Sequence, residues 1–341
     1  MVKKCLALAL VGVLLACSDS TSPQNFDPAT TQQKADAVLA ALSGNPALRS
    51  LAVLGGKIQL SVANPALAVA PFDPTSPATL QSRLQALEAQ PNFGATATLA
   101  LFPADLLGKT LVYDSTTAQY VVDSTRTDAP AAGIRVALYA VDPVLNNVVY
   151  PLNEIGYLDL TDVSTPSADA VRIVAVISNI TYLDYVASAV RTTTSAGVNA
   201  DGYVSNGSDR VDFNLTATIA SNSFQIDYQL SSGDNAVRLV ASLGPTDNDV
   251  TATLTIQGGG DTVVLQFTST SSTLSGQITY NDVEVVVVSG TTDNPVFTRP
   301  DGTALTQNEI ASLQAIGDIV GVVFDAFDNL LGPALVVFAF G

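Results

Sequence analysis

The chain changes its hydrophobic period partway along. Between about Thr30 and Gln90 apolar residues recur at helical spacing: Ala35, Val38, Leu39 and Leu42 form one stripe, and Gly44 stands where that helix can end. Leu80, Leu84 and Leu87 mark a second helix beginning near Pro77, and the intervening NPALAVAPFDPTSP is too rich in proline for regular structure. From about Ala95 the period becomes two. GIRVALYAVD, EIGYLDL, AVRIVAVIS and ITYLDYVASAV are strand candidates separated by Pro, Asn, Asp and Ser clusters. After a loop at TSAGVNADGYVSNGSD the alternation is almost strict. In RVDFNLTATIA, Val211, Phe213, Leu215, Ala217 and Ile219 share one face, and Asp212, Asn214, Thr216 and Thr218 share the other.

The same pattern recurs in SFQIDYQLS, AVRLVASLG, DVTATLTIQ, TVVLQFTST and LSGQITYNDVEVVVVSG, joined by turns such as SSGDN, GPTDND and GGGD. Strands at such spacing with tight turns predict an antiparallel meander, whose apolar face needs a cover. The segment after RPDGTALTQNE supplies one. Thr306 and Glu309 have capping-box spacing, and from Ile310 to Leu331 the sequence places Leu313, Ile316, Ile319, Val320, Val323, Phe324, Phe327 and Leu330 over more than half of a helix. Gln314, Asp318, Asp325 and Asp328 fall near one narrow stripe. Three aspartates, each costing about 2.5–3.5 kcal/mol at a bilayer centre, argue against a membrane span. The terminal ALVVFAFG reads as a last strand returning to the sheet.

At the N-terminus, Lys3 and Lys4 precede an apolar run from Cys5 to Leu15 that is too short to span a bilayer, so it reads as a signal peptide. Its end, Leu14-Leu15-Ala16-Cys17, resembles the lipobox of bacterial lipoproteins, with a branched apolar residue three before the cysteine and a small residue directly before it. The resemblance covers only about the first 20 residues. It implies cleavage between Ala16 and Cys17, a diacylglycerol on the Cys17 thiol and an acylated, typically palmitate-bearing, new amino terminus. Several acyl chains, at about 0.8 kcal/mol per buried CH₂, hold a protein to a membrane far more firmly than one. Ser18, rather than Asp, follows the cysteine, which by analogy with Gram-negative lipoproteins favours the outer membrane, facing periplasm or cell surface. The polar SDSTSPQNFDP then serves as a tether.

The expected organisation is a leader over 1–16, a tether over 17–29, a helical N-terminal region over 30–94 and an antiparallel β domain over 95–341 that includes helix 306–331. The fold class is mainly β with helices (α+β): a large curved antiparallel meander packed on a C-terminal helix. In architecture, though by no motif, this resembles half-barrel lipoproteins and lipoprotein carriers, where a curved sheet encloses helices and sometimes a lipid.

Composition narrows the chemistry. The 341 residues contain 14 basic and 31 acidic side chains, a net charge of −17, or −19 once Lys3 and Lys4 leave with the leader. Such a surface repels phosphate backbones, so nucleic acid is not an expected partner. The chain has no histidine, and its two cysteines are Cys5 and Cys17. Serine or cysteine triads built on histidine and ordinary zinc sites are thereby excluded. The most site-like feature is a near-repeat, Tyr157-Leu158-Asp159 and Tyr182-Leu183-Asp184. If the two strands were neighbours, two carboxylates could approach closely enough for acid/base hydrolysis; the plainer reading puts both aspartates on the wet face of one meander. NADGYVSNGSD, GPTDNDVT and RPDGT cluster oxygen ligands of the kind calcium takes, but none has EF-hand spacing and Asx turns explain them. QGGGDT, between two strand-like runs, is a hairpin turn rather than a phosphate cradle. No catalytic, cofactor or metal-ligating residue is assigned. The expected function is that of a non-catalytic envelope protein, structural or partner-binding. The alternatives are a carrier of an apolar ligand or lipid and, third, a carboxylate hydrolase.

Overall fold

A computed structural model describes residues 28–54 and 101–338, apart from short gaps at 143–144, 146, 193, 221–222, 244–249, 271 and 292–293. The leader, the tether and the helix predicted near Pro77 lie outside the described residues.

Helices α1 (Pro28–Leu39) and α2 (Pro46–Leu54) precede fifteen strands and a long helix. The first eight strands are β1 (Lys109–Asp114), β2 (Gln119–Asp123), β3 (Gly133–Tyr139), β4 (Glu154–Asp162), β5 (Ala170–Ile177), β6 (Ile180–Arg191), β7 (Ala196–Ser205) and β8 (Arg210–Ala220). The remaining seven are β9 (Ser223–Ser232), β10 (Asn235–Leu243), β11 (Val250–Gly258), β12 (Asp261–Ser269), β13 (Leu274–Tyr280), β14 (Val283–Gly290) and β15 (Pro295–Thr298), followed by α3 (Gln307–Phe338). The fold is thus mainly β with helices, and the strands form the open antiparallel meander that the alternation predicts. The chain divides into two compact units.

One unit contains α2, β1–β8 and α3 from Asp325 onward. Its strands run in the order β8-β7-β6-β5-β4-β3-β1-β2. Every pairing is antiparallel except that of β1 with β3, which is parallel. The β1–β2 hairpin was not legible as strands because its two segments are only six and five residues long, leaving too few alternations to count. Tyr113, Tyr120 and Tyr139 meet there with ring centroids 5.6–6.5 Å apart, and the Tyr120 hydroxyl donates to the Ala137 carbonyl at 3.1 Å. Burial pushes the phenol pKa of Tyr120 well above its ordinary value.

The start of α2 is written in Gly44-Asn45-Pro46. The first helix ends at Leu39, earlier than the stripe to Leu42 predicts, and residues 40–44 form a turn that Gly44 closes at φ +67°, a conformation that costs glycine little. The buried Asn45 accepts from the Ala47 and Leu48 amides at 2.9 and 3.4 Å and donates to the carbonyls of Ala41 and Ser205, each at 2.8 Å. One side chain therefore caps the helix, worth about 1 kcal/mol, and fastens it to the end of β7. On β6, the buried Tyr185 hydroxyl donates to the Leu330 carbonyl of α3 at 2.5 Å, and Tyr185 packs edge-on against Phe213 with centroids 5.4 Å apart.

The other unit contains α1, β9–β15 and α3 up to Phe324, with the strands in unbroken chain order. The predicted stripe residues Ala35, Val38 and Leu39 are buried, and α1 lies against β9, β10 and β11. Lys34 donates from α1 to Asp261 at 2.7 Å, and Asp261 also accepts from Tyr280 and Asn281 at 2.9 and 3.1 Å. Those three donors, Lys34 foremost, lower the Asp261 pKa to about 2.

The capping box of α3 forms as expected: the Glu309 amide donates to the Thr306 hydroxyl at 3.3 Å, and the Thr306 amide donates to the Glu309 carboxylate at 2.6 Å. The same carboxylate accepts from Arg299 at 2.7 Å, in a pair whose side chains are only 7% and 16% exposed. Arg299 further donates to the Ala304 carbonyl at 2.6 Å. A buried charge pair thus ties the end of the sheet to the start of the helix.

Two expectations about the C-terminus are corrected. The helix does not stop at Leu331 but runs to Phe338, so the described part of ALVVFAFG is helix and not a returning strand. The run is apolar at every position, so its period is ambiguous, and Pro333 is a poor residue for a helix interior. What decides is burial: Leu330, Leu331, Leu335, Val337 and Phe338 are all at most 4% exposed in the helical form. At about 1.5–3 kcal/mol per large apolar side chain, their burial outweighs the ~3 kcal/mol that an interior proline costs.

Arg299→Ala would leave the half-buried Glu309 with its bonds from Thr306 but without its counter-charge. It should lower unfolding free energy by roughly 1.5–3 kcal/mol in urea titrations; a loss below about 0.5 kcal/mol would show that this pair does not fasten the helix.

Candidate functional site

The near-repeat is the sequence feature most open to a structural check, and the sheet register decides it. Tyr157 and Asp159 lie on β4, Tyr182 and Asp184 on β6, and β5 runs between them. Val174 of β5 pairs with Asp159 on one side and with Asp184 on the other. The two carboxylates thus share a face but stand two strand spacings apart, about 10 Å. The neighbour-strand arrangement required for a carboxylate dyad does not occur.

Each carboxylate is already engaged. Arg135, directly opposite Asp159 on β3, grips it through two hydrogen bonds of 2.7 and 2.8 Å and also pairs with Asp128 at 2.5 Å. The same guanidinium lies 3.7 Å from the centroid of Tyr157. Asp184 is held by Arg172 on β5, again by two bonds, at 2.9 and 2.7 Å. Asp159 chiefly raises the pKa of Arg135, and Asp184 that of Arg172, through these hydrogen bonds. Such forked pairs occupy both oxygens of each carboxylate with guanidinium donors. Arg135 and Arg172 carried a sequence signal: each is a charged residue at an outward position of an apolar strand, GIRVALY and AVRIVAVI.

The polar side of both units repeats this device. Arg238 of β10 forks onto Asp227 of β9 at 2.9 and 2.6 Å. Arg126 forks onto Glu154 at 2.8 and 2.7 Å and lies 3.3 Å from Asp123. Arg210 bonds Asp212 on the same strand and covers the Tyr203 ring, 3.9 Å from its centroid. Arginine on this face therefore neutralises strand carboxylates pair by pair rather than forming a basic patch.

The expected loop TSAGVNADGYVSNGSD is mostly β7, its short alternation broken by Gly197 and Gly202, so Asn199 and Asp201 stand on a strand; the oxygen-rich loops proper are consumed by their own turns. Asn206 accepts from the amides of Ser208 and Asp209 at 2.9 and 2.8 Å and donates to the Asp209 carboxylate at 3.0 Å. Asp301 accepts from both the hydroxyl and the amide of Thr303, at 2.7 and 2.9 Å, bonds that lower its pKa. These are Asx turns. GPTDND lies outside the described residues, and among the described residues no group of three or more acidic, histidine or cysteine side chains could hold a metal. In QGGGDT, Gly258 pairs with Asp261 while Gly259 and Gly260 take φ +58° and +86°, which makes it the predicted hairpin turn. Cys17, the expected lipidation site, lies outside the described residues.

The forked pairs differ in burial, and their energetic weight should differ with it. Arg135→Ala should cost about 1.5–3 kcal/mol of stability. Arg238→Ala, whose pair with Asp227 is roughly half exposed at 52% and 43%, should cost less than about 1 kcal/mol. Urea midpoints for the two variants check this, and equal losses would contradict the ordering.

Comparison of the chain with protein-family models, with curated proteins and with solved structures finds no match.

Proposed function

We propose that the protein is an extracytoplasmic lipoprotein, held to a membrane by acyl chains on Cys17, that acts as a non-catalytic envelope component through contacts with partners. The observation that carries this reading is Leu14-Leu15-Ala16-Cys17, placed directly behind Lys3, Lys4 and a short apolar run. Ser18 after the cysteine favours the outer membrane. The want of any cysteine beyond Cys17 fits, since a thiol destined for lipid needs no partner for a disulfide. Among the described residues, no helix is long and apolar enough to cross a membrane.

The non-catalytic part of the reading rests on how the polar side chains are used. The carboxylates best placed for chemistry, Asp159 and Asp184, are each spent on an arginine, and the loop aspartates cap their own turns. A carrier of an apolar ligand draws its support from the many apolar residues of α3 and the inner strand faces. Among those described, Leu313, Ile316, Val323, Phe327 and Leu330 are at most 5% exposed, which favours the structural reading over the carrier.

Mass spectrometry of the protein taken from its native membrane tests the anchor. The expected species begins at Cys17 and carries a diacylglyceryl group and an amino-terminal acyl chain, and Cys17→Ser should move the protein to the soluble fraction. An unmodified chain beginning elsewhere overturns the proposal.

A further inference from the structure

The connection from β7 to β8 contains the one Asn-Gly step of the chain, Asn206-Gly207. The ladder closes where Ser205 pairs with Arg210, and beyond it the Asn206 amide donates to the Asp209 carbonyl at 3.1 Å. The Asn206 side chain folds back along its own backbone: Oδ1 accepts from the amides of Ser208 and Asp209 at 2.9 and 2.8 Å, and Nδ2 donates to the Asp209 carboxylate at 3.0 Å. The bond from Ser208 closes an Asx turn whose ring includes the Gly207 nitrogen, so that nitrogen lies alongside Cγ of Asn206. The Gly207 amide itself donates to the Ser205 hydroxyl at 3.0 Å. Gly207, Ser208 and Asp209 are exposed, and water reaches the turn.

An asparagine amide carbon is open to attack by the backbone nitrogen that follows it when the two are held together, and glycine at the attacking position removes the Cβ that would crowd the approach. As the Gly207 nitrogen bonds to Cγ, its proton passes by way of the Ser205 hydroxyl to water, and negative charge gathers on Oδ1. Two backbone amides, those of Ser208 and Asp209, already donate to that oxygen, as the paired donors of an oxyanion hole do. The Asp209 carboxylate orients the departing Nδ2. Breaking the Cγ–Nδ2 bond, with one proton taken from water, releases ammonia and leaves a succinimide ring between residues 206 and 207. Water then opens the ring at either carbonyl, giving an aspartyl residue or an isoaspartyl one, whose backbone runs through the former side chain. Water is the only co-reactant. Asn281 is held differently: its Oδ1 accepts from the Thr262 amide at 2.8 Å and its Nδ2 donates to Asp261 at 3.1 Å, both on a neighbouring turn, and the residue after it is Asp282.

We infer that Asn206 is a self-modification site, at which the folded protein converts the side-chain amide, through a succinimide with Gly207, into aspartate and isoaspartate. The consequence reaches past the turn. A carboxylate at position 206 faces Asp209 where the Nδ2 bond now stands, so an attraction becomes a repulsion. The carbonyl directly before it, that of Ser205, is the one to which Asn45 of α2 donates at 2.8 Å. The modification therefore places new negative charge, and in the isoaspartyl form an extra backbone carbon, beside the point where α2 is fastened to β7. The site does not depend on the anchoring reading above.

The full mature chain, folded, is held at neutral pH and physiological temperature and sampled over weeks. Peptide mass spectrometry follows the gain in mass as OH replaces NH₂, and enzymatic methylation of isoaspartate counts the rearranged product. Conversion at Asn206 should run at least about tenfold faster than at Asn281, with isoaspartate among the products, and Gly207→Ala should slow it by about the same factor. Because a Cβ at φ +95° also strains the turn, the ring is sought directly in the unaltered chain: hydroxylamine added under native conditions should split the aged protein between residues 206 and 207. Conversion at Asn206 no faster than at Asn281 overturns the inference. So does a product that is aspartate alone with no hydroxylamine cleavage, since the amide would then be hydrolysed without a ring. Conversion confined to the chain unfolded in urea overturns it as well, because the turn would then protect the asparagine.

Discussion

An antiparallel strand with strict alternation has one face that must be removed from water, and fifteen such strands multiply the demand. Helix α1 meets part of it against β9, β10 and β11, and the later turns of α3 reach β6 through Tyr185 and Leu330. The start of α3 is fixed by the buried Arg299–Glu309 pair in one unit, and its later turns by Tyr185 donating to the Leu330 carbonyl in the other. A helix so apolar could slide along an apolar surface at little cost. These directional polar contacts, each buried and each costly to break, give it a register.

The opposite faces of the strands obey a different rule. Acidic residues outnumber basic ones by 31 to 14, yet Arg135, Arg172 and Arg238 are spent locally, Arg135 on the carboxylate directly opposite and the other two on a carboxylate two positions along the neighbouring strand. The strands carry more carboxylates than cations, and the forked pairs bond part of that negative charge into the sheet face.

Much of this was legible in the residues. Strict alternation from Val211 to Ile219 set both the strand and its buried face, Gly44 marked the end of a helical turn, and Thr306 with Glu309 announced the start of α3. What was not legible depended on competition between patterns that look alike in one dimension. ALVVFAFG satisfies period two and period 3.6 equally, and only the buried environment of Leu335, Val337 and Phe338 decides for helix despite Pro333. The near-repeat of Tyr157-Leu158-Asp159 gave no hint of its spacing from Asp184, because register across an intervening strand is a property of the sheet. Nor could the sequence say which arginine each aspartate would meet. Asn45 could have been foreseen as a cap from the Gly-Asn-Pro order, but not as the donor that reaches Ser205 across the unit.

The dependence of the fold on a buried, polar-pinned helix is open to a direct reading by native-state hydrogen exchange. Amides of α3 between Val323 and Phe338 should exchange as slowly as those of β5 and β6, at the free energy of global unfolding, because the helix cannot leave without exposing the inner faces. Exchange of these amides at rates typical of a frayed, solvent-facing helix, with β5 and β6 still protected, would contradict it.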